Sequence, residues 1–209
     1  MDSAKWIAQL LLQIKAIKLN AKDPFTWASG IKSPIYCDNR IALSYPYVRN
    51  EIKKSLISQA SQFTPFDGVA GVATAGIPHG AILADALGLP FIYVRNKAKG
   101  HGRQNVIEGE MNPGSNVLVI EDLISTGGSS MEAILSLQDA EFNITGLLAI
   151  FTYQLDYSTK KFKSNEIEVH TLTDYTTLIS VAQELQYVDY DDLDLLSRWR
   201  KSPGSWKPN

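Results

Sequence analysis

Apolar positions recur along this chain with a period that changes from one stretch to the next. Near the start, Ile7, Leu10, Leu11, Ile14 and Ile17 follow helical spacing, which predicts an amphipathic helix over 3–19 with Ser3 as its N-cap. Residues 46–61 repeat that spacing, and Pro46 suits a first helical turn. Between the two, residues 24–43 carry Pro24, Gly30 and Pro34 and predict irregular or extended chain. Beyond this point the pattern alternates. Short unbroken apolar runs at 67–73 (DGVAGVA), 90–95 (PFIYVR), 117–121 (VLVIE) and 146–153 (GLLAIFTY) predict strands, and 78–87 and about 129–141 predict helices. Strands that are apolar on both sides are buried on both faces. The expected class is therefore α/β, a parallel sheet with helices on either side. No linker, repeat or low-complexity run divides residues 1–209, so a single domain is expected. Residues 1–43 lie outside the alternation and are expected to add a small cap. Residues 202–209, rich in Pro, Gly and Ser, are expected as a loose tail.

Composition narrows the classes. A chain of 209 residues with 44% apolar and 20% charged residues can bury a proper core. A net charge of −2 argues against a dedicated nucleic-acid binder. The single cysteine, Cys37, rules out an internal disulfide framework. No apolar run is long enough to span a membrane, and the first residues lack a charged-then-apolar signal pattern; a cytoplasmic protein is expected. No Cys, His and acid set has metal-site spacing, and His79 and His170 read as structural or surface residues.

The stretch EDLISTGGSS, Glu121 to Ser130, directly follows an apolar strand. In an open parallel sheet, ligands bind beyond the carboxyl ends of the strands. Ser125, Thr126, Gly127, Gly128 and Ser129 form a loop of small and hydroxylic residues leading into a helix. Backbone N–H groups of such a loop, with the positive end of the helix dipole, suit a phosphate monoester. The carboxylates of Glu121 and Asp122 would repel that phosphate, but they can accept hydrogen bonds from sugar hydroxyls or from water on a metal. A Walker-type loop and a dinucleotide fingerprint are both absent. A second stretch, RNKAKGHGRQNVIEG over 95–109, is too basic and too rich in glycine for a core element. It reads either as a solvated surface loop or as a mobile lid that carries cations onto an anionic substrate.

VLVIEDLISTGGSS resembles the phosphoribosyl-diphosphate (PRPP) signature of type I phosphoribosyltransferases, and RNKAKGHGRQNVIEG resembles the catalytic loop of orotate phosphoribosyltransferases. FTWASGIKSPIYCDNR, residues 25–40, resembles the orotate-side segment of the same enzymes. The resemblance covers most of residues 20–155 and implies the type I phosphoribosyltransferase fold. It implies Mg²⁺-dependent transfer of the phosphoribosyl group from PRPP to N1 of orotate, in pyrimidine nucleotide synthesis. Glu121 and Asp122 then meet the ribose hydroxyls. Leu123, Ile124, Ser125, Thr126, Gly127, Gly128 and Ser129 surround the 5′-phosphate. Arg95, Lys99 and His101 reach the diphosphate, with Lys99, His101 and Asp122 as the catalytic set. Ser125 and Tyr36 face orotate. The resemblance further implies Mg²⁺ carried on PRPP rather than by direct protein ligands, and a homodimer in which the 95–109 loop acts on the neighbouring site. Residues Ala73 to Pro78 match the diphosphate loop. Some positions depart from the family: Ala28, Ala75 and Asn96 stand where many relatives carry lysines, and Cys37 stands at an aromatic position. Arg40 is a nearby cation, expected to support the orotate carboxylate or the local fold. The rival readings are an enzyme of the same fold acting on a purine base, which KGHGRQNVIEG and SGIKSPIYCDNR oppose, and a regulator that binds RNA, which the acidic charge balance opposes.

Overall fold

The computed structural model describes residues 2–27, 30–95 and 106–207. The chain opens with α1 (Ser3–Gln13), then four short strands, β1 (Ile17–Leu19), β2 (Phe25–Thr26), β3 (Lys32–Ser33) and β4 (Ile35–Cys37). A 3₁₀ turn at Asn39–Ser44 leads into α2 (Pro46–Ala60). The alternating part runs β5 (Gly68–Val72), α3 (Gly76–Leu87), β6 (Phe91–Val94), β7 (Ile107–Glu108), β8 (Asn116–Ile124), α4 (Gly128–Asp139), β9 (Asn143–Thr152), α5 (Asp156–Ser164) and β10 (Val169–Asp174). It closes with α6 (Tyr175–Glu184) and α7 (Tyr190–Lys201).

The central sheet has the order β10-β9-β8-β5-β6-β7, with every pairing parallel except the edge pair β6–β7. Val117, Leu118, Val119 and Ile120 are all fully buried because alternate side chains enter opposite cores. Leu118, Ile120, Leu148 and Ile150 join α1, α2, α3, α6 and α7 on one face. Val117, Val119, Leu147 and Ala149 join Met131, Ile134 and Leu137 of α4 and Phe162 of α5 on the other. The expected parallel α/β class with helices on both faces is what the chain forms.

Some expectations are corrected. The helix foreseen over 3–19 stops at Gln13: Lys15 takes a φ of +57°, and Ile17 pairs with Cys37 in the β1–β4 ladder. The spacing of Ile17 served a strand as well as a helix. Helix α1 is no part of a cap, because Ile7, Leu10 and Leu11 lie in the main core. Residues 202–207 do not hang loose. The Trp206 amide donates to the Ser202 carbonyl at 3.0 Å, and the ring packs against the main core.

Strand order fixes where a ligand can sit. Taking the parallel strands in chain order, the chain leaves β5 toward β6 on one side and returns to β8 on the other. The crevice between the carboxyl ends of β5 and β8 is therefore the topological switch point, where loops diverge and leave room. Gly76 keeps this junction tight, since a Cβ there would lie 2.5 Å from the carbonyl oxygen of Ile120.

Candidate active site

A cavity of about 260 Å³ opens at that switch point. Its walls are the β5–α3 turn (Ala73, Thr74, Ala75), the end of β8 (Glu121, Asp122, Leu123), the turn into α4 (Ser125 to Ser130) and Arg40. Helices α3 and α4 both start without a side-chain cap. Their first amides are left for water or a ligand, and the N-cap of α3 and the first turn of α4 border the same cavity. The turn is made possible by Gly127, whose φ of +70° favours glycine. Gly127 also sits so close to Phe162 of α5 that a Cβ would come within 2.8 Å of the ring.

The acids are neighbours with different surroundings. Glu121 is 6% exposed; its carboxylate accepts from the Asp122 amide at 2.9 Å and from the Ser130 hydroxyl at 3.0 Å. Burial first, and then the charge of Asp122, push its pKa well above the ordinary glutamate value. Burial also raises Asp122, but its bond with Glu121 and the nearby Arg40 guanidinium oppose the rise. Both acids are pushed toward the protonated form, and Glu121, the more enclosed of the two, is pushed further. Arg40 is held by a forked pair to Asp38, with Nε to Oδ1 at 2.6 Å and Nη2 to Oδ2 at 2.9 Å.

Of the residues that the sequence singles out, Glu121, Asp122, Leu123, Ser125, Thr126, Gly127, Gly128 and Ser129 come together around this cavity. Ile124 does not line it: its side chain is buried in the core on the α4 face. Tyr36 does not line it either; it is exposed and lies against Phe25 with ring centroids 5.7 Å apart. Arg95 is placed beside it. Its amide donates to the Val106 carbonyl at 2.8 Å, and its Nε lies 3.0 Å from Glu108. There it borders an adjoining cleft of about 330 Å³ that shares Ser129 with the first. Lys99 and His101 lie outside the described residues, as do Ala28, Asn96 and Lys97.

Residues that the sequence did not single out are Ser130, which holds Glu121, and Asn39, whose Nδ2 donates to the Asp122 carbonyl at 2.7 Å. The Ser130 bond had a local signal, a hydroxyl in the first turn of the following helix. The Asn39 bond had none, since its partner lies 83 positions away.

Amides, hydroxyls and a pair of carboxylates thus converge at a parallel-sheet switch point, the place where such sheets bind their ligands. The family model for the phosphoribosyl transferase domain matches residues 50–169. Over 204 residues the chain is 51% identical to the orotate phosphoribosyltransferase of Enterococcus faecalis, covering 97% of each. Over 208 residues it is 50% identical to that of Cytophaga hutchinsonii, covering 99% of this chain and 100% of that one. The solved orotate phosphoribosyltransferase of Aeropyrum pernix has the same fold, with a TM-score of 0.76 at 24% identity, covering 88% of this chain and 99% of that one. This chain belongs to the orotate phosphoribosyltransferase family. It is a pentosyl-transferring enzyme of pyrimidine biosynthesis.

Proposed function

We propose that the chain transfers the phosphoribosyl group of PRPP to N1 of orotate, giving orotidine 5′-monophosphate and diphosphate on the de novo route to UMP. The observation that carries this reading is the convergence of the Ser125–Ser129 turn and the Glu121–Asp122 pair on one cavity. The turn would hold the 5′-phosphate through its amides and hydroxyls. Asp122, the more readily ionised acid, would accept from the ribose hydroxyls and tolerate positive charge growing on the ring. Glu121 would share that contact as the more protonated partner. Arg40 would face an anionic group of the base, and Ser125 the base itself.

Leaving-group departure is the hard step, because negative charge collects on the diphosphate. Amides at the start of α3, together with Arg95, Lys99 and His101, would meet that charge, so catalysis is mainly positioning and electrostatics. Among the described residues no cluster of three or more His, Cys, Asp or Glu could cage a metal. Glu121 and Asp122, the carboxylates of the cavity, fit a Mg²⁺ that arrives on the phosphates, since either could accept hydrogen bonds from its water. When bound, it would neutralise diphosphate charge. Lys99→Ala is expected to slow the chemical step by on the order of 10²–10³. A single-turnover rate equal to wild type would remove Lys99 from the reaction.

The direct test is loss of orotate absorbance on mixing the protein with orotate and PRPP, with and without Mg²⁺. Loss that needs PRPP and Mg²⁺ supports the reading. Turnover with adenine or guanine instead would keep the cradle and overturn the base assignment. We infer also a cytoplasmic homodimer in which the 95–109 loop serves the neighbouring site. No helix among the described residues is long and apolar enough to cross a membrane. Sedimentation should give twice the 23.1 kDa chain mass, and mixing inactive Lys99→Ala and Asp122→Asn chains should restore part of the activity. Failure of both results would leave the loop acting within its own chain.

A further inference from the structure

Asn39 does not line the cavity, yet it is fully buried at 0% exposure. A buried side-chain amide is stable only where its donors and acceptors are met, so its partners say what it is for. The Asp122 carbonyl can only accept, which orients the amide: Nδ2 donates to it at 2.7 Å, and Oδ1 accepts from the Cys37 thiol at 3.3 Å. The place of this bond matters. Pairing between β5 and β8 ends at Gly71 with Ile120, so Asp122 lies past the last rung on that side. Asn39 supplies a donor there, beyond the reach of the neighbouring strand. The residues on either side of Asn39 are Asp38 and Arg40, whose guanidinium borders the same cavity. A single turn thus ties the Arg40 wall to the acid pair.

We propose that Asn39 is a positioning residue: its bond to the Asp122 carbonyl sets the direction of the Asp122 carboxylate toward the ribose. The proposal rests on reading the cavity as the PRPP site. It predicts a division between substrates, because the acid pair meets the sugar and not the base. In Asn39→Ala, and in the equal-sized Asn39→Asp, which puts an acceptor against an acceptor, kcat/KM for PRPP is expected to fall roughly tenfold or more, the range for an unsatisfied buried acceptor. KM for orotate should stay within about twofold, since Arg40, the residue placed toward the base, keeps its forked pair to Asp38 without Asn39.

Steady-state kinetics with each substrate varied, PRPP titration calorimetry without orotate, and thermal melting of the same samples decide the matter. Weaker PRPP binding and lower kcat at near-constant orotate KM support the role. A lower melting temperature with unchanged PRPP affinity and kcat would make Asn39 a structural filler and overturn it. A rise in orotate KM alone would overturn it too. Failure of the wild-type chain to bind PRPP would instead strike the reading of the cavity, and this proposal would fall with it.

Discussion

Glu121 and Asp122 show how far surroundings separate like residues. Both are drawn from water, but only Glu121 is enclosed by its own neighbour's amide and the Ser130 hydroxyl. Its folded-state pKa lies well above the usual value, whereas in the unfolded chain it ionises near about 4.3. In the window above that value the folded state holds more protons than the unfolded one, so this residue's contribution to stability falls as pH rises toward its folded pKa. Glu121→Gln imitates the protonated side chain and removes the fall. Its unfolding free energy, from urea denaturation at a series of pH values above the unfolded glutamate pKa of about 4.3, is expected to decline less with pH than that of wild type. A slope identical to wild type would mean that Glu121 is ionised throughout. The same variant should retain more activity than Asp122→Asn, because Asp122 is the member expected to carry charge to the ribose.

The turn between β8 and α4 sets two glycines side by side with opposite demands. Gly127 has a φ of +70° and a ring 2.8 Å from where a Cβ would be, whereas a Cβ on Gly128 would meet only the Thr126 hydroxyl at 3.8 Å. Gly127→Ala is expected to cost about 1–3 kcal/mol from backbone conformation and crowding together. Gly128→Ala should leave the melting temperature nearly unchanged, because alanine suits a helical first turn. If the phosphate lies against the first α4 amides, Gly128→Ala will still raise KM for PRPP. Equal melting losses in both variants would show that the turn is built differently. This turn was legible in the sequence because its chemistry is contiguous: strand, acids, hydroxyls, glycines and helix follow one another. The strands were legible for a like reason, since runs such as VLVIE and GLLAIFTY stay apolar on both faces. The end of α1 was not, because Lys15 reverses the chain without any Gly or Pro to mark it. Strand β10 escaped notice because VHTLTD mixes polar and apolar residues at the sheet edge. The bond from Asn39 to Asp122 escaped because no local pattern encodes a contact so distant in sequence.

The last part of the chain gives the cleft its support. Helices α5 and α7 are rich in charge and offered no strong pattern, yet α7 carries in its last turn Trp199, the largest of the fully buried side chains among the described residues. Its ring meets Trp27 at 5.6 Å edge-on, Tyr153 at 5.7 Å edge-on and Tyr175 at 5.7 Å, and its indole N–H donates to the Lys32 carbonyl at 3.1 Å. Arg200 beside it reaches Gln154 and Thr176. The C-terminal helix therefore fastens Trp27 and β3 against the end of β9, and the segment from β3 leads directly into Asn39 and Arg40 at the cleft. Trp199→Ala removes a fully enclosed ring and a bond to a main-chain carbonyl, a change expected to cost about 3–5 kcal/mol. In a chain of this length each kcal/mol lowers the melting temperature by about 2–4 °C, so a fall of roughly 6–20 °C is expected in a thermal scan. Because the anchored segment leads into both Asn39 and Arg40, the variant assayed well below its melting point should bind both PRPP and orotate more weakly. Unchanged affinity for both, with a lower melting temperature, would mean that the segment from β3 to Arg40 keeps its place without α7.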